Sequence, residues 1–182
     1  MTIKTTTIKD LVIITPDVFE DPRGYFLEAY NQAKFVENGI GYPFIQDNQS
    51  FSKRGVIRGL HLQINPFAQA KLVRVLEGEI LDVAVDLRKN SLTYGQHFSV
   101  VLSAENKKQL MVPHGFAHGF SVLSETASVL YKVDQMYHKE SERGIRFDDP
   151  ILAIDWQLDS NEVIVSEKDL ILPSFEDIDW EF

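Results

Sequence analysis

Residues 71–87 read KLVRVLEGEILDVAVDL. Two β-rich runs, residues 71–76 and 80–87, flank Glu77-Gly78, a pair that signals a hairpin turn. In the second run Leu81, Val83, Val85 and Leu87 alternate with Asp82, Ala84 and Asp86. Such alternation gives a strand one apolar face and one mostly polar face. The same pattern extends outward in both directions. Residues 11–14, 44–52 and 56–63 precede it, and 97–102, 109–112, 116–123 and 128–133 follow. Asp21-Pro22-Arg23-Gly24 is a turn, after which residues 25–30 continue as a strand. Asn31 caps a short helix through Glu37, which Gly39 stops. About ten strands with two or three short helices make an all-β domain, a sandwich or barrel whose open mouth suits a small ligand.

Composition narrows the function. A chain of 182 residues with 44% apolar content forms one domain, 1–182, with a real core. No repeat, linker or low-complexity tract divides it. The apolar runs are far too short to span a membrane, and residues 1–7 lack the apolar core of a signal peptide, so a cytoplasmic protein is expected. The absence of cysteine excludes a disulfide framework and thiolate chemistry. A net charge of −9 argues against nucleic-acid partners. A small anionic ligand would need local convergence of basic residues, for which Arg23, Arg58, Lys71 and Lys168 are candidates.

Three stretches interrupt strand-like sequence with polar groups. In the first, Gln46 and Asn48 share one strand face, and His61 and Gln63 share another. Buried amides and imidazoles are costly unless they bind one another, water or a ligand. A lone strand histidine such as His61 is as readily a satisfied core residue as a catalytic one. The second stretch is Pro113-His114-Gly115-Phe116-Ala117-His118-Gly119-Phe120, whose glycines suggest close backbone approach. There His118 is the better site candidate, because His114 beside the turn should be exposed. The third contains Tyr131 and Tyr137, which by themselves read as packing tyrosines. Ser166-Glu167-Lys168-Asp169 fits a helix capping box, and this competes with a role for Asp169 as a histidine's carboxylate partner. A metal triad of His61, Glu77 and His118 is strained, since Gln63 stands where a His-x-His pair would need histidine.

Taken together, the chain resembles the dTDP-4-dehydrorhamnose 3,5-epimerase family. The resemblance runs from about Leu11 to Pro173. It rests on the order and spacing of Asp21-Pro22-Arg23-Gly24-Tyr25-Phe26-Leu27-Glu28, Gln46-Asp47-Asn48, Arg58-Gly59-Leu60-His61, Lys71-Leu72-Val73-Arg74, Leu102-Ser103-Ala104-Glu105-Asn106, the 115–120 segment and Tyr131-Lys132. It implies a cupin-like jelly-roll barrel, a homodimer that exchanges N-terminal segments, and a dTDP-4-keto-6-deoxy sugar as substrate. It implies His61 as general base, Asp169 as its partner, Tyr131 as the acid on the opposite face and Lys71 near the C4 ketone oxygen. Arg58 and His118 are further active-site groups. Arg23, Phe26, Glu28, Gln46, Asp47, Asn48, Glu142 and Lys168 match positions that hold the nucleotide and sugar, and Tyr137 matches an aromatic that stacks on thymine.

The chemistry fits these residue types. A proton beside a ketone is removable once the enolate is stabilised, and a lysine can supply charge at the oxygen. Histidine titrates in the range a general base needs. C3 and C5 both flank C4, so one ketone activates both carbons and neither cofactor nor metal is required. Two positions depart from the family: Gln49 replaces a histidine and Leu62 an aromatic. On regular strands both point away from Asn48 and His61. They leave room for a single-carbon epimerase. A metal-dependent cupin enzyme and a non-catalytic sugar-nucleotide binder are the readings from other classes.

Overall fold

The computed structural model describes residues 1–182. Its strands are β1 Thr2–Thr5, β2 Val12–Thr15, β3 Val18–Asp21, β4 Gly24–Leu27, β5 Gln46–Lys53, β6 Ile57–Gln63 and β7 Lys71–Glu77. They continue with β8 Glu79–Asp86, β9 His97–Ser103, β10 Gln109–Val112, β11 Phe116–Val122, β12 Thr126–Val133 and β13 Glu142–Gly144. Helices are short: α1 Gln32–Glu37, α2 Glu167–Leu170 and a 3-10 turn at Lys139–Ser141. Asn31 caps α1 as expected, its side chain accepting from the Lys34 N–H. The strand expected over residues 25–30 is confined to Gly24–Leu27, paired with β3.

The strands form a jelly-roll-like sandwich. One sheet has the order β1-β2-β10-β7-β12-β5, the other β13-β6-β11-β8-β9, while β3 and β4 stand apart as a hairpin. Their inner faces meet in a core that includes Val73, Val75, Leu110 and Val129 from the first sheet and Ile80, Phe116, Phe120 and Val122 from the second. Each such side chain withdrawn from water stabilises the fold by roughly 1.5–3 kcal/mol. The outer face of the second sheet is also buried. Leu60, Leu62, Leu81, Val83 and Val85 pack there against Ile145, Leu152 and Trp156 of the C-terminal segment. On the outer face of the first sheet, Phe35 of α1 packs with Ile14, Leu72 and Met111.

The hairpin expected at Glu77-Gly78 does not form. β7 pairs with β10 and β12, whereas β8 pairs with β11 and β9, so the chain turns a corner from one sheet to the other. Gly78 has φ of +77°, and a Cβ there would lie 2.0 Å from the Thr126 carbonyl oxygen. The turn chemistry was legible; its tertiary use was not. Replacing Gly78 with Ala adds both a left-handed backbone penalty and a steric clash, for an expected loss of about 2–4 kcal/mol. Urea denaturation would show it as a lower midpoint at unchanged m-value.

The alternation in β8 is real, but neither face meets water. Leu81, Val83 and Val85 face the C-terminal layer. The polar residues Asp82 and Asp86 are fully buried on the other side. Asp86 is satisfied by Arg88, Ser91 and Thr93. Asp82 is turned toward the functional site.

Candidate active site

A cavity of about 500 Å³ opens between the sheets, lined among others by Arg58, His61, Lys71, His118, Tyr131 and Asp169. A second lobe of about 230 Å³ shares His61, Lys71 and Tyr131 and adds Gln46, Asn48, Tyr137 and Glu142. Strand periodicity explains most of this convergence. On β6, Leu60 and Leu62 point outward to the C-terminal layer, so His61 and Gln63 point inward. Arg58, three residues before His61, would face the other way on a regular strand. A register shift against β11 between His118 and Phe120 changes that, and both side chains line the cavity. The shift sits at Gly59, whose φ is +123° and where a Cβ would meet the Gly119 Cα at 2.5 Å. The close approach signalled by Gly119 is thus strand against strand.

His61 and Asp169 meet across 108 residues of sequence, with His61 Nε2 2.7 Å from Asp169 Oδ1. The Ser166 cap forms too, its hydroxyl accepting from the Asp169 N–H. The two readings of Asp169 are therefore compatible: its backbone serves the helix and its carboxylate the histidine. Burial raises the pKa of Asp169, but hydrogen bonds and charge from His61, with smaller help from the Gly59 and Ser166 groups, hold it below the usual carboxylate range. A carboxylate only accepts, so Nε2 carries the proton of the neutral imidazole and Nδ1 keeps a lone pair.

His118 lies in register with His61 on the neighbouring strand. Its Nε2 is 2.7 Å from Asp82 Oδ1, and both side chains are buried. The other Asp82 oxygen is buried without a partner. Asp82 was not singled out in the sequence; the only signal was a carboxylate on the polar face of an apolar strand. Lys71 Nζ donates to the His61 carbonyl at 3.2 Å. Burial lowers the Lys71 pKa to about 8, against the opposing negative charge of Asp82 and Glu142.

Tyr131 projects from β12, in the sheet opposite β6. Burial raises its pKa, partly countered by Arg58, so the phenol stays protonated at neutral pH. Glu142 accepts from Tyr137 Oη at 2.9 Å and from Lys168 Nζ at 2.6 Å. Burial raises its pKa, yet these two bonds keep it below the usual range. Gln46 donates to Asn48 along the inner face of β5.

Four expected site residues lie outside both lobes. Asp47 alternates away from Gln46 and Asn48 and pairs with Lys132 at 2.8 Å. Arg23 is 90% exposed and bonded to Asp21. Phe26 is 69% exposed on the β3–β4 hairpin. Glu28 pairs with Lys34 and Asn31. Of the basic residues expected to converge, Arg58, Lys71 and Lys168 do so and Arg23 does not. His114 is half-buried rather than exposed, with Nε2 2.8 Å from Asp134. His61, Glu77 and His118 form no metal-holding group.

The sequence model of the family described as dTDP-4-dehydrorhamnose 3,5-epimerase matches residues 5–177. The chain belongs to this family. It is 53% identical to the dTDP-4-dehydrorhamnose 3,5-epimerase of Methanothermobacter thermautotrophicus over 90% of this chain and 89% of that one. The crystal structure of the epimerase from Elizabethkingia anophelis superposes with a TM-score of 0.94 at 55% identity, covering 99% of both chains. That of the Legionella pneumophila epimerase in complex with dTDP-4-keto-L-rhamnose has a TM-score of 0.94 at 48% identity, covering 98% of this chain and 94% of that one. Within the epimerase family, neither of the two departures noted above removes a polar group from the cavity, although Leu62 borders the smaller lobe. Leu62 is buried in the outer core, and Gln49 is exposed on the face of β5 opposite Asn48.

Proposed function

We propose that the chain, acting as a single domain over residues 1–182, converts dTDP-4-dehydro-6-deoxy-D-glucose to dTDP-4-dehydro-L-rhamnose by inversion at C3 and C5, a step of dTDP-rhamnose biosynthesis. The observation that carries this reading is a His61–Asp169 pair and a protonated Tyr131 on opposite walls of one cavity, which Lys71 also lines while donating to the His61 carbonyl. His61 takes the proton from the carbon beside the ketone. The C–H electrons move onto the C4 oxygen, where the Lys71 ammonium stabilises the enolate. Tyr131 returns a proton to the carbon from the other face, and the phenolate and imidazolium then exchange protons with solvent. Asp169 holds the imidazole orientation and balances the charge of the imidazolium as it forms. Arg58 and His118 hold the sugar; Gln46, Asn48, Glu142 and Lys168 hold the nucleotide and sugar, with Tyr137 stacked on the base.

In the same reading the enzyme is a cytoplasmic homodimer without a nucleic-acid or membrane partner. Phe19, Tyr25 and Phe26, large apolar side chains exposed on the β3–β4 hairpin, support an interface there. Such an interface would let Arg23, Phe26, Glu28 and Asp47 act at a partner's site. The test is product identity. Borohydride reduction and sugar analysis should give L-rhamnose among the products; a sugar inverted at one carbon would replace this reading with a single-carbon epimerase. Tyr131→Phe is expected to cut net inversion by about 10²–10³-fold. It should still wash deuterium into the ring by same-face return, as NMR in deuterated water would show.

A further inference from the structure

Gln63 follows His61 by two residues on β6, faces the same way, and has no part in the proton transfers. Its side chain is only 4% exposed. Its whole amide is committed to backbone. Nε2 donates to the Phe67 carbonyl at 2.7 Å and to the Met136 carbonyl at 3.2 Å. Oε1 accepts from the His138 N–H at 2.7 Å. The last two partners are the residues on either side of Tyr137. The same segment is tied down nearby, where Gln69 donates to the Gln135 carbonyl at 2.6 Å and the Phe67 ring stacks on His138 with centroids 3.8 Å apart.

Tyr137 itself is 57% exposed, and its hydroxyl is engaged only by Glu142. The ring's direction is set by that bond and by the backbone at Met136 and His138, which the buried Gln63 amide grips on both sides of the tyrosine. We propose that Gln63 is a positioning residue for nucleotide recognition: it presets the Tyr137 ring, and the Glu142-bound hydroxyl, to receive the base of the nucleotide. The proposal rests on the reading of Tyr137 as a base-stacking residue. Holding the ring in its bound direction before the ligand arrives lowers the ordering cost of binding. A residue that acts only in this way changes affinity and not the chemical step.

Gln63→Met keeps the length and removes every one of these hydrogen bonds. It is expected to raise the KM for the dTDP-sugar and the Kd for dTDP alone about tenfold, with kcat within about threefold of wild type. Calorimetry with dTDP, well below each variant's Tm, reads the affinity. Tyr137→Ala should weaken dTDP to a similar degree, and the double variant should be no weaker than the worse single within about twofold, because both remove the same stacked ring. Should Gln63→Met not fold, Gln63→Asn carries the same test, since its shorter amide reaches neither loop. If Tyr137→Ala weakens dTDP but the Gln63 variant binds it like wild type, the positioning role is overturned and the stacking role stands. Fully multiplicative effects, or a fall in kcat at unchanged KM, also overturn it. If Tyr137→Ala binds dTDP like wild type, the stacking reading falls and the proposal falls with it.

Discussion

Replacing His61 with Gln is expected to lower kcat by about 10³–10⁴-fold while the affinity for dTDP stays within about twofold. The asymmetry follows from where His61 sits. It lines both lobes of the cavity, and its one ring partner is the Asp169 carboxylate at 2.7 Å. Glutamine places its amide nitrogen close to where the imidazole Nε2 stands and can still donate to Asp169, so the buried carboxylate keeps a partner and the fold is spared an unpaired charge. What it lacks is a nitrogen lone pair of useful basicity. Steady-state kinetics with the sugar nucleotide and calorimetry with dTDP separate the two effects.

Lys71→Met is expected to lower kcat by about 10²–10³-fold, the usual cost of one lost donor to a developing oxyanion. This change also has a pH signature. Burial lowers the Lys71 pKa to about 8, so the ammonium is present below that pH and lost above it. Wild-type kcat should fall as pH rises through about 8, and the residual activity of Lys71→Met should lack that limb. Stability moves in the opposite sense. Between about 8 and the ordinary lysine value of 10.5 the unfolded chain binds more protons than the folded one, so wild-type stability from this group rises with pH across that window. Below about 8 both states carry the proton and the cost of burying the charge is fully present. The methionine variant should lack this rise, as urea midpoints across the window would show.

Much of the fold was legible because it follows from local rules. The alternation in β8, the Asn31 cap and the Ser166 cap each appear where the residue types placed them. The Glu77-Gly78 turn was legible as a turn but not as a corner, because a hairpin and a sheet-to-sheet crossing share the same local chemistry and differ only in which strands pair beyond them. The burial of both faces of β8 was hidden for a related reason. Its outer cover comes from residues 145–182, where helix and strand are scarce and no periodicity announces a layer.

In the site, the residues alone left His61 and Asp169 ambiguous, since the bond between them spans 108 positions and no spacing rule reaches that far. Family order supplied the pairing. Asp82 escaped notice because a buried carboxylate resembles a solvent-facing one until its histidine partner is seen. Arg23, Phe26, Glu28 and Asp47 stand apart from the cavity, so the geometry of the single chain gives them no part in it.

The most direct test of the epimerase reading is hydrogen exchange at the sugar ring. Wild-type protein incubated with dTDP-4-dehydro-6-deoxy-D-glucose in deuterated water should place deuterium at both C3 and C5, read by NMR of the product. Label at neither carbon, under conditions where dTDP binding is demonstrated, would contradict it.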